Sequence, residues 1–439
     1  MFNTPFLLRM GLYAAISIVG MNTAAAQPLA VDNLTQIISK DSAVSKTVSW
    51  QSSVPHYNYY VEYRQKGTND IHKAYVTEPK RPPVYDYDNI PPYTYGAYMQ
   101  HLQPDTAYEY RICNDEGETV WFSFTTTKEE LNQYKVLIFG DSQSVDYSVW
   151  GQTAQIAWNR NTDAAFFVNM GDLTDNGQAW FQWRDWQYNA DILTSHLPFA
   201  PVLGNHEAYS MEWKFAYPYT YKALFAVPYG SPRGQSRLAY SFDYGDVHYV
   251  SLNTDYEELH AQDPDMLTNE AAWLDTDLAA AKKAGKRLIV MMHRPPWNSP
   301  YNGKLDINGT YFMPIFDKYE VPLVFTAHEH CYERTVPIKA DKQAAAGTVY
   351  VATGRSGTES WDASRRKPTD VVYYNPMDMP MYLTLQVESK AFRVTAFKND
   401  GTMIDTTTIA TDTAPSTQQA EQQPQHAKKA KKAGQSVKK

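Results

Sequence analysis

The stretch VFTAHEHCYERT, residues 324–335, sets two histidines, an acid and a cysteine directly behind an apolar run. An apolar run of this length suits a strand buried on both faces. If the strand continued, His328 and His330 would share one face, because side chains alternate and positions i and i+2 coincide. Two imidazoles on one face of a rigid element suit a metal ion. The plainer alternative is two polar residues opening a loop. Cys331 would leave by the opposite face, which makes it a poor ligand.

The same arrangement recurs along the chain. KVLIFG (135–140) is followed by Asp141, and AAFFVNMG (164–171) by Asp172. FAPVLG (199–204) is followed by Asn205 and His206, RLIVMM (287–292) by His293, and VPLVFTA (321–327) by His328 and His330. Open α/β sheets bind ligands at the carboxyl ends of their strands, so these groups are expected to converge in one cleft. A single such coincidence would mean little; repeated in order, it argues for a metal site rather than scattered structural polar residues.

The chain of 439 residues has room for two or three domains, and its 43% hydrophobic and 20% charged content describes an ordinary folded protein. The formal net charge of −8 gives no electrostatic case for nucleic-acid binding. Residues 1–26 read as a secretory signal: Arg9, then the apolar MGLYAAISIVGM, then TAAAQ, with cleavage expected after Ala26. No later run is long and apolar enough to span a bilayer, so a secreted or periplasmic protein is expected. Cys113 and Cys331 lie far apart, and two buried free thiols are expected.

Residues 27–128 hold short β-rich runs, among them KTVSWQSS, YNYYVEYRQ, YTYGAYMQ and AYEYRICND, separated by turn-formers. This pattern predicts an all-β sandwich. Within LQPDTAYEYRI, the residues Leu102, Pro104, Thr106, Tyr108 and Tyr110 resemble the tyrosine-corner approach of fibronectin type III-like domains. KEELNQ (128–133) reads as a linker. Residues 133–410 then alternate apolar runs with helical segments, which predicts an α/β domain. One helix is expected over 269–286, with Asn269 as N-cap and Gly285 closing it. Residues 414–439, rich in Lys, Gln and Ala, read as a disordered basic tail that could touch an anionic surface.

Taken together, GDSQ, GDLTD, GNHE, MMHRP and AHEH resemble the metallophosphoesterase, or calcineurin-like, superfamily. HEHCYER is similar to the GHxHxYER signature of purple acid phosphatases, and the fibronectin-like front domain matches the larger members of that family. The resemblance implies an α/β metallophosphoesterase sandwich with two divalent or trivalent metal ions: iron with zinc or manganese, or another transition-metal pair. It implies that Asp172 bridges the ions, that one ion also takes Asp141 and His330, and that the other takes Asn205, His293 and His328. Carboxylates and imidazoles suit such borderline ions, and two cations need a bridging anion. His206 would stand beside the ions, stabilising phosphoryl charge or protonating the leaving oxygen. The implied reaction is attack of a metal-bound hydroxide on a phosphate ester.

Two departures from the family pattern matter. Purple acid phosphatases carry GDxxY, with a tyrosine bound to ferric iron, and here Asp175 stands at that position. Gln143 stands where the wider superfamily often has a histidine. Asp175 and Gln143 are therefore the candidates for the missing ligand of the first ion, and a purple colour is not expected. The stretch HRPPWNSPYNGKLD also lacks the histidine that several members place downstream of His293. Asn298 or Asn302 would orient substrate instead, and proton donation would fall to His206. Glu207, Arg294 and Glu333 are expected to support the ligands or the fold. Aromatic stretches at 180–188 and 213–230 are expected mainly to pack loops, with some rings rimming the cleft. Sequons occur at Asn33 and Asn308. A phosphomonoesterase is the expected function, with a phosphodiesterase or an inactive binding protein as the alternatives.

Overall fold

The computed structural model describes residues 28–361 and 366–411. The expected signal segment and the basic tail from Ala414 lie outside the described residues. Among the described residues, no helix is long and apolar enough to cross a membrane.

The front of the chain forms eight strands: β1 (Asp32–Ile37), β2 (Lys46–Ser52), β3 (Tyr60–Gln65), β4 (His72–Tyr75), β5 (Tyr93–Met99), β6 (Ala107–Asn114), β7 (Gly117–Glu118) and β8 (Phe122–Thr125). β1, β2 and β5 lie side by side in one sheet, while β3, β4, β6, β7 and β8 form the facing one. Alternate residues of β6, Tyr108, Tyr110 and Ile112, turn inward onto Val48, Trp50, Val61 and Tyr95. The expected corner is present: the Tyr108 hydroxyl accepts the Gln103 N–H at 2.9 Å. Cys113 and Cys331 are both buried and unbridged.

The rest of the chain builds a second sandwich from two larger sheets. The first contains β9 (Tyr134–Phe139), β10 (Ala164–Asn169) and β11 (Phe199–Pro201), all parallel. The second contains β12 (Tyr240–Tyr244), β13 (Val247–Leu252), β14 (Arg287–Met292), β15 (Leu323–Thr326) and β16 (Tyr332–Thr335). After the small hairpin of β17 (Ile338–Lys339) and β18 (Lys342–Gln343), β19 (Val349–Thr353) and β20 (Asp370–Tyr374) complete that sheet. β21 (Met381–Glu388), β22 (Ala391–Lys398) and β23 (Met403–Ala410) return to the first sheet. The inner faces meet through aromatic rings. Phe166 of β10 packs edge-on against Phe242 and Tyr249 of the other sheet, with ring centroids 5.7 and 5.4 Å away.

Helices cover both outer faces. α1 (Tyr147–Arg160) and α2 (Trp180–Thr194) pack on the first sheet through Trp150 against Phe139 and Trp186 against Phe199. The short helices α3 (Tyr219–Leu224) and α4 (Tyr256–Leu259) lie in connecting loops. α5 (Met266–Lys283) and α6 (Ile307–Tyr319) bury Leu274, Leu278, Phe312 and Phe316 in the shared core. α5 begins at Met266, one turn before the expected cap at Asn269, because Met266 and Leu267 are themselves buried. Gly285 follows the helix with φ of +75°, the left-handed conformation glycine adopts without strain.

The expected linker at 128–133 does not separate two independent bodies. β1 runs parallel to β11, with Ile37 opposite Phe199, so a single nine-stranded sheet crosses both sandwiches. Leu131 accepts the Asp246 N–H at 3.0 Å, and Lys40 donates to Ser241. The sequon at Asn308 is also closed off. Asn308 is buried at the start of α6, with its amide donating to the Thr254 carbonyl at 3.0 Å.

Glu270 on α5 ties the helix to the loop after β13, its carboxylate accepting the Asn253 N–H at 2.7 Å. Burial pushes the Glu270 carboxyl up to about 8. The unfolded chain loses that proton at an ordinary carboxylate pH, so between the two values the folded state holds one proton more. Stability therefore falls as pH rises across that window. Glu270→Gln keeps an acceptor oxygen without the titration, and thermal melts are expected to show it gaining Tm over the parent at about pH 8 more than at about pH 5. An equal shift at both pH values would remove charge burial as the cause.

Candidate metal centre

The five ligand-bearing loops leave the carboxyl ends of β9, β10, β11, β14 and β15, so the two sheets each deliver part of one cluster. Close backbone packing brings the loops together. At Gly204, an added Cβ would lie 2.3 Å from the Asp172 nitrogen. Gly171, with φ of +100°, would meet the His293 ring at 2.5 Å. Asp172 itself has φ of +50°, an uncommon conformation for a residue with a side chain.

The two histidines of the opening stretch do not sit on a strand face. β15 ends at Thr326, and His328 and His330 have φ of 70° and 55°. The chain turns here, because the Glu329 N–H bonds back to the Ala327 carbonyl at 2.8 Å. The turn sends the two rings to different partners. Among the described residues, two groups have ligand atoms within 4.8 Å of one another: Asp172, His293 and His328, and Asp141, Asp172 and His330. Asp172 belongs to both.

The hydrogen bonds fix which ring atoms face inward. His293 Nδ1 donates to the Met170 carbonyl at 2.8 Å, and His330 Nδ1 to the Glu359 carbonyl at 2.7 Å. Each ring therefore presents Nε2 to the cluster. His293 Nε2 lies 3.1 Å from both Asp172 Oδ2 and Asn205 Oδ1, and His330 Nε2 lies 3.4 Å from Asp141 Oδ1. Burial alone would lower the His293 pKa, yet the charge of Asp172 overrides it and pushes the ring up to about 10. Burial also acts to raise the Asp172 pKa, but His293, His206 and His328 hold it well below the usual carboxylate range. His328 is held neutral by burial and by Arg294. Two buried carboxylates ringed by imidazole nitrogens thus draw positive charge into one spot, and the donor set fits a pair of transition-metal ions.

The two uncertain positions separate. Gln143 is buried with its Nε2 3.3 Å from His330 Nε2, and its Oε1 has no hydrogen-bond partner among the described residues. The Asp175 carboxylate lies 3.7 Å from His206 Nδ1 and falls in neither group of ligand atoms. The Asp175 backbone carbonyl accepts from His206 Nδ1 at 2.8 Å, and the His206 N–H reaches Asp172 Oδ1 at 2.8 Å. His206 thus stands beside the ligand groups, outside both.

Glu207 organises the loops. Its carboxylate accepts N–H groups of Asp172, Leu173, Thr174 and Gly204, at 3.0, 2.8, 3.3 and 2.9 Å. Glu333 pairs with Lys367 away from the ligands. Arg294 is closer to the chemistry, with Nη1 3.3 Å from His328 Nε2 and Nη2 paired to Glu258. Asn298 and Asn302 bond each other at 3.0 Å on an exposed loop. Three nearby residues escape the sequence reading. Asp255 is buried with both oxygens unpartnered, Tyr209 packs edge-on to His206 at 5.3 Å, and Trp361 stacks on His330 at 3.6 Å. Asp255 could have been found, since it follows the buried run of β13 just as the ligands follow theirs. Nothing local marks Tyr209 or Trp361 among the chain's 33 tyrosines and 11 tryptophans.

Comparison with known proteins agrees with this geometry. The calcineurin-like phosphoesterase family matches residues 134–332, and the purple acid phosphatase N-terminal domain matches residues 33–126. The chain is 28% identical to purple acid phosphatase 21 of Arabidopsis thaliana over 68% of its own length and 69% of that protein. It is 30% identical to acid phosphatase type 7 of Mus musculus over 61% of its own length, spanning 65% of that relative. The fold matches a purple acid phosphatase from yellow lupin (Lupinus luteus) seeds with a TM-score of 0.71 at 18% identity, over 88% of this chain and 75% of that one. The chain thus carries a calcineurin-like phosphoesterase domain behind a purple acid phosphatase N-terminal domain, and its purple acid phosphatase relatives indicate a metal-dependent phosphatase-type hydrolase.

Proposed function

We propose that this protein is an exported phosphomonoesterase with a dinuclear metal centre. The observation that carries the reading is the sharing of Asp172 between two compact groups of ligand atoms. Asp141, Asp172 and His330 would hold one ion, with the unpartnered Oε1 of Gln143 as a further donor. Asp172, Asn205, His293 and His328 would hold the other. Asp175 is the weaker candidate, since its carboxylate turns to His206. When bound, the ion pair supplies Lewis acidity toward phosphoryl oxygens and a water nucleophile active near neutral pH.

The chain's own residues orient and move protons. The Met170 and Glu359 carbonyls fix the tautomers of His293 and His330, so their Nε2 atoms face the cluster. His206 is held at Nδ1 by the Asp175 carbonyl, leaving Nε2 to give a proton to the leaving oxygen. The Asp175 carboxylate, 3.7 Å from Nδ1, lies on the same side of the ring as that carbonyl and leaves the Nε2 side to the substrate. An inactive binding protein would have no need to retain this donor set. The front sandwich, with its tyrosine corner, supports the fibronectin type III-like reading. Export rests on the apolar segment and small residues before Gln27.

Three expected outcomes test this reading. Asp172→Asn removes the shared charge, and metal analysis should show loss of at least one ion together with most of the activity on monoesters. Full metal content with normal turnover would sink the dinuclear assignment. The metal-loaded protein should show no tyrosinate-to-iron band in the visible spectrum. Asp175 replaces the family tyrosine, and the nearby Tyr147 hydroxyl accepts the Asp175 N–H at 3.2 Å. An intense violet absorbance would contradict this. His206→Ala should leave metal stoichiometry unchanged and lower kcat about 10²–10⁴-fold, most for alkyl esters and least for nitrophenyl esters. Equal loss on both esters would exclude proton donation, and faster turnover of diesters than monoesters would move the assignment to a phosphodiesterase.

A further inference from the structure

We propose that the hairpin Tyr209–Phe215 is a leaving-group platform, on which Trp213 stacks a planar ring carried by the phosphate ester. The proposal rests on the phosphatase reading and names the substrate class it would favour.

The hairpin is tightly held. Tyr209 and Phe215 form a β-bridge, Ser210 N–H donates to the Lys214 carbonyl at 2.7 Å, and Trp213 N–H donates to the Ser210 carbonyl at 2.8 Å. At the turn, Trp213 has φ of +58°, a conformation usually given to glycine or asparagine. A bulky residue there is strained, and strain of this kind collects at working sites. The side chain does not repay the strain by filling the core, because Trp213 is 56% exposed.

The position explains what the ring is for. Trp213 lies 6.2 Å from the His206 ring and 6.1 Å from Tyr209, and Tyr209 lies 5.3 Å from His206. His206 in turn bonds Asp172, so this aromatic surface starts at the metal centre. Met211 and Phe215 of the same hairpin are also exposed. An ester seated at the ligand cluster would direct its organic group across His206 onto these rings. Aromatic faces attract flat π-systems and give a small polyol nothing to stack on.

The test compares metal-loaded wild type with Trp213→Ala and Trp213→Gly. kcat/KM is measured for phenyl phosphate, a nucleoside monophosphate and glycerol phosphate, and binding of phenylphosphonate and methylphosphonate by calorimetry. Both variants should lower kcat/KM for one or both ring esters about tenfold, mainly through KM, with a much smaller effect on glycerol phosphate. Phenylphosphonate should weaken by a similar factor and methylphosphonate should not. Comparing each variant with wild type on the same ester removes leaving-group reactivity from the comparison. Trp213→Gly should also raise Tm, since glycine accepts the positive φ, which separates loss of stacking from loss of fold. A loss confined to phenyl phosphate identifies a simple aryl ester, and one confined to the nucleotide identifies a nucleobase. Equal loss on all three esters, or no loss, overturns the platform. A wild type that turns over none of the esters overturns the phosphatase reading instead, and the phosphonate pair then still decides the platform.

Discussion

Both halves of the centre depend on one buried carboxylate, Asp172. It sits in a left-handed backbone conformation, shares space with two groups of ligand atoms, and accepts the His206 N–H. A charge so deeply buried is tolerable only with strong compensation. The charged imidazole of His293 provides most of it within the chain, and a pair of cations would complete it. Glu207 holds the backbone side of the arrangement, collecting N–H groups from the loop of Asp172 and from Gly204. The strained turn therefore persists because the bonds around it over-determine it.

The sandwich exists to hold this cluster across its seam. Asp141, Asp172 and Asn205 come from the first sheet, and His293, His328 and His330 from the second. Any slip between the sheets would separate the ligands, and the aromatic contacts of Phe166 with Phe242 and Tyr249 resist it. The second sheet is tied where its ligand loops begin, beyond β14 and β15, by the Ala327 N–H, which donates to the His293 carbonyl at 2.8 Å. The front sandwich braces the first sheet, since β1 extends it past β11.

The substrate face is a separate layer of construction. Most of the candidate ligands come from short turns directly after strands, whereas His206, Tyr209 and Trp213, together with the ligand Asn205, come from the longer excursion after β11. That division lets the metal geometry stay rigid while the surface that meets the organic group varies in shape. Trp361 adds a further ring at the ligand cluster, stacked on His330.

The buried runs, and the polar residues after each, were legible in the sequence because strand burial and strand ends leave a local pattern. The two-sandwich order, the convergence of the candidate ligand positions and the free thiols followed from that pattern and from the family resemblance. Other features depend on partners distant in sequence. His328 and His330 read as neighbours on a strand face; the resemblance assigned them to different ions, and the left-handed turn supplies the geometry by which they part. Of Gln143 and Asp175, the second lies against His206, and no spacing encodes that. The linker at 128–133 looked like a gap between domains because the β1–β11 pairing joins segments far apart in the chain. Asn308 looked like an open sequon until the fold buried it against Thr254. Local periodicity records what one segment must bury, and the structure alone records what each segment meets.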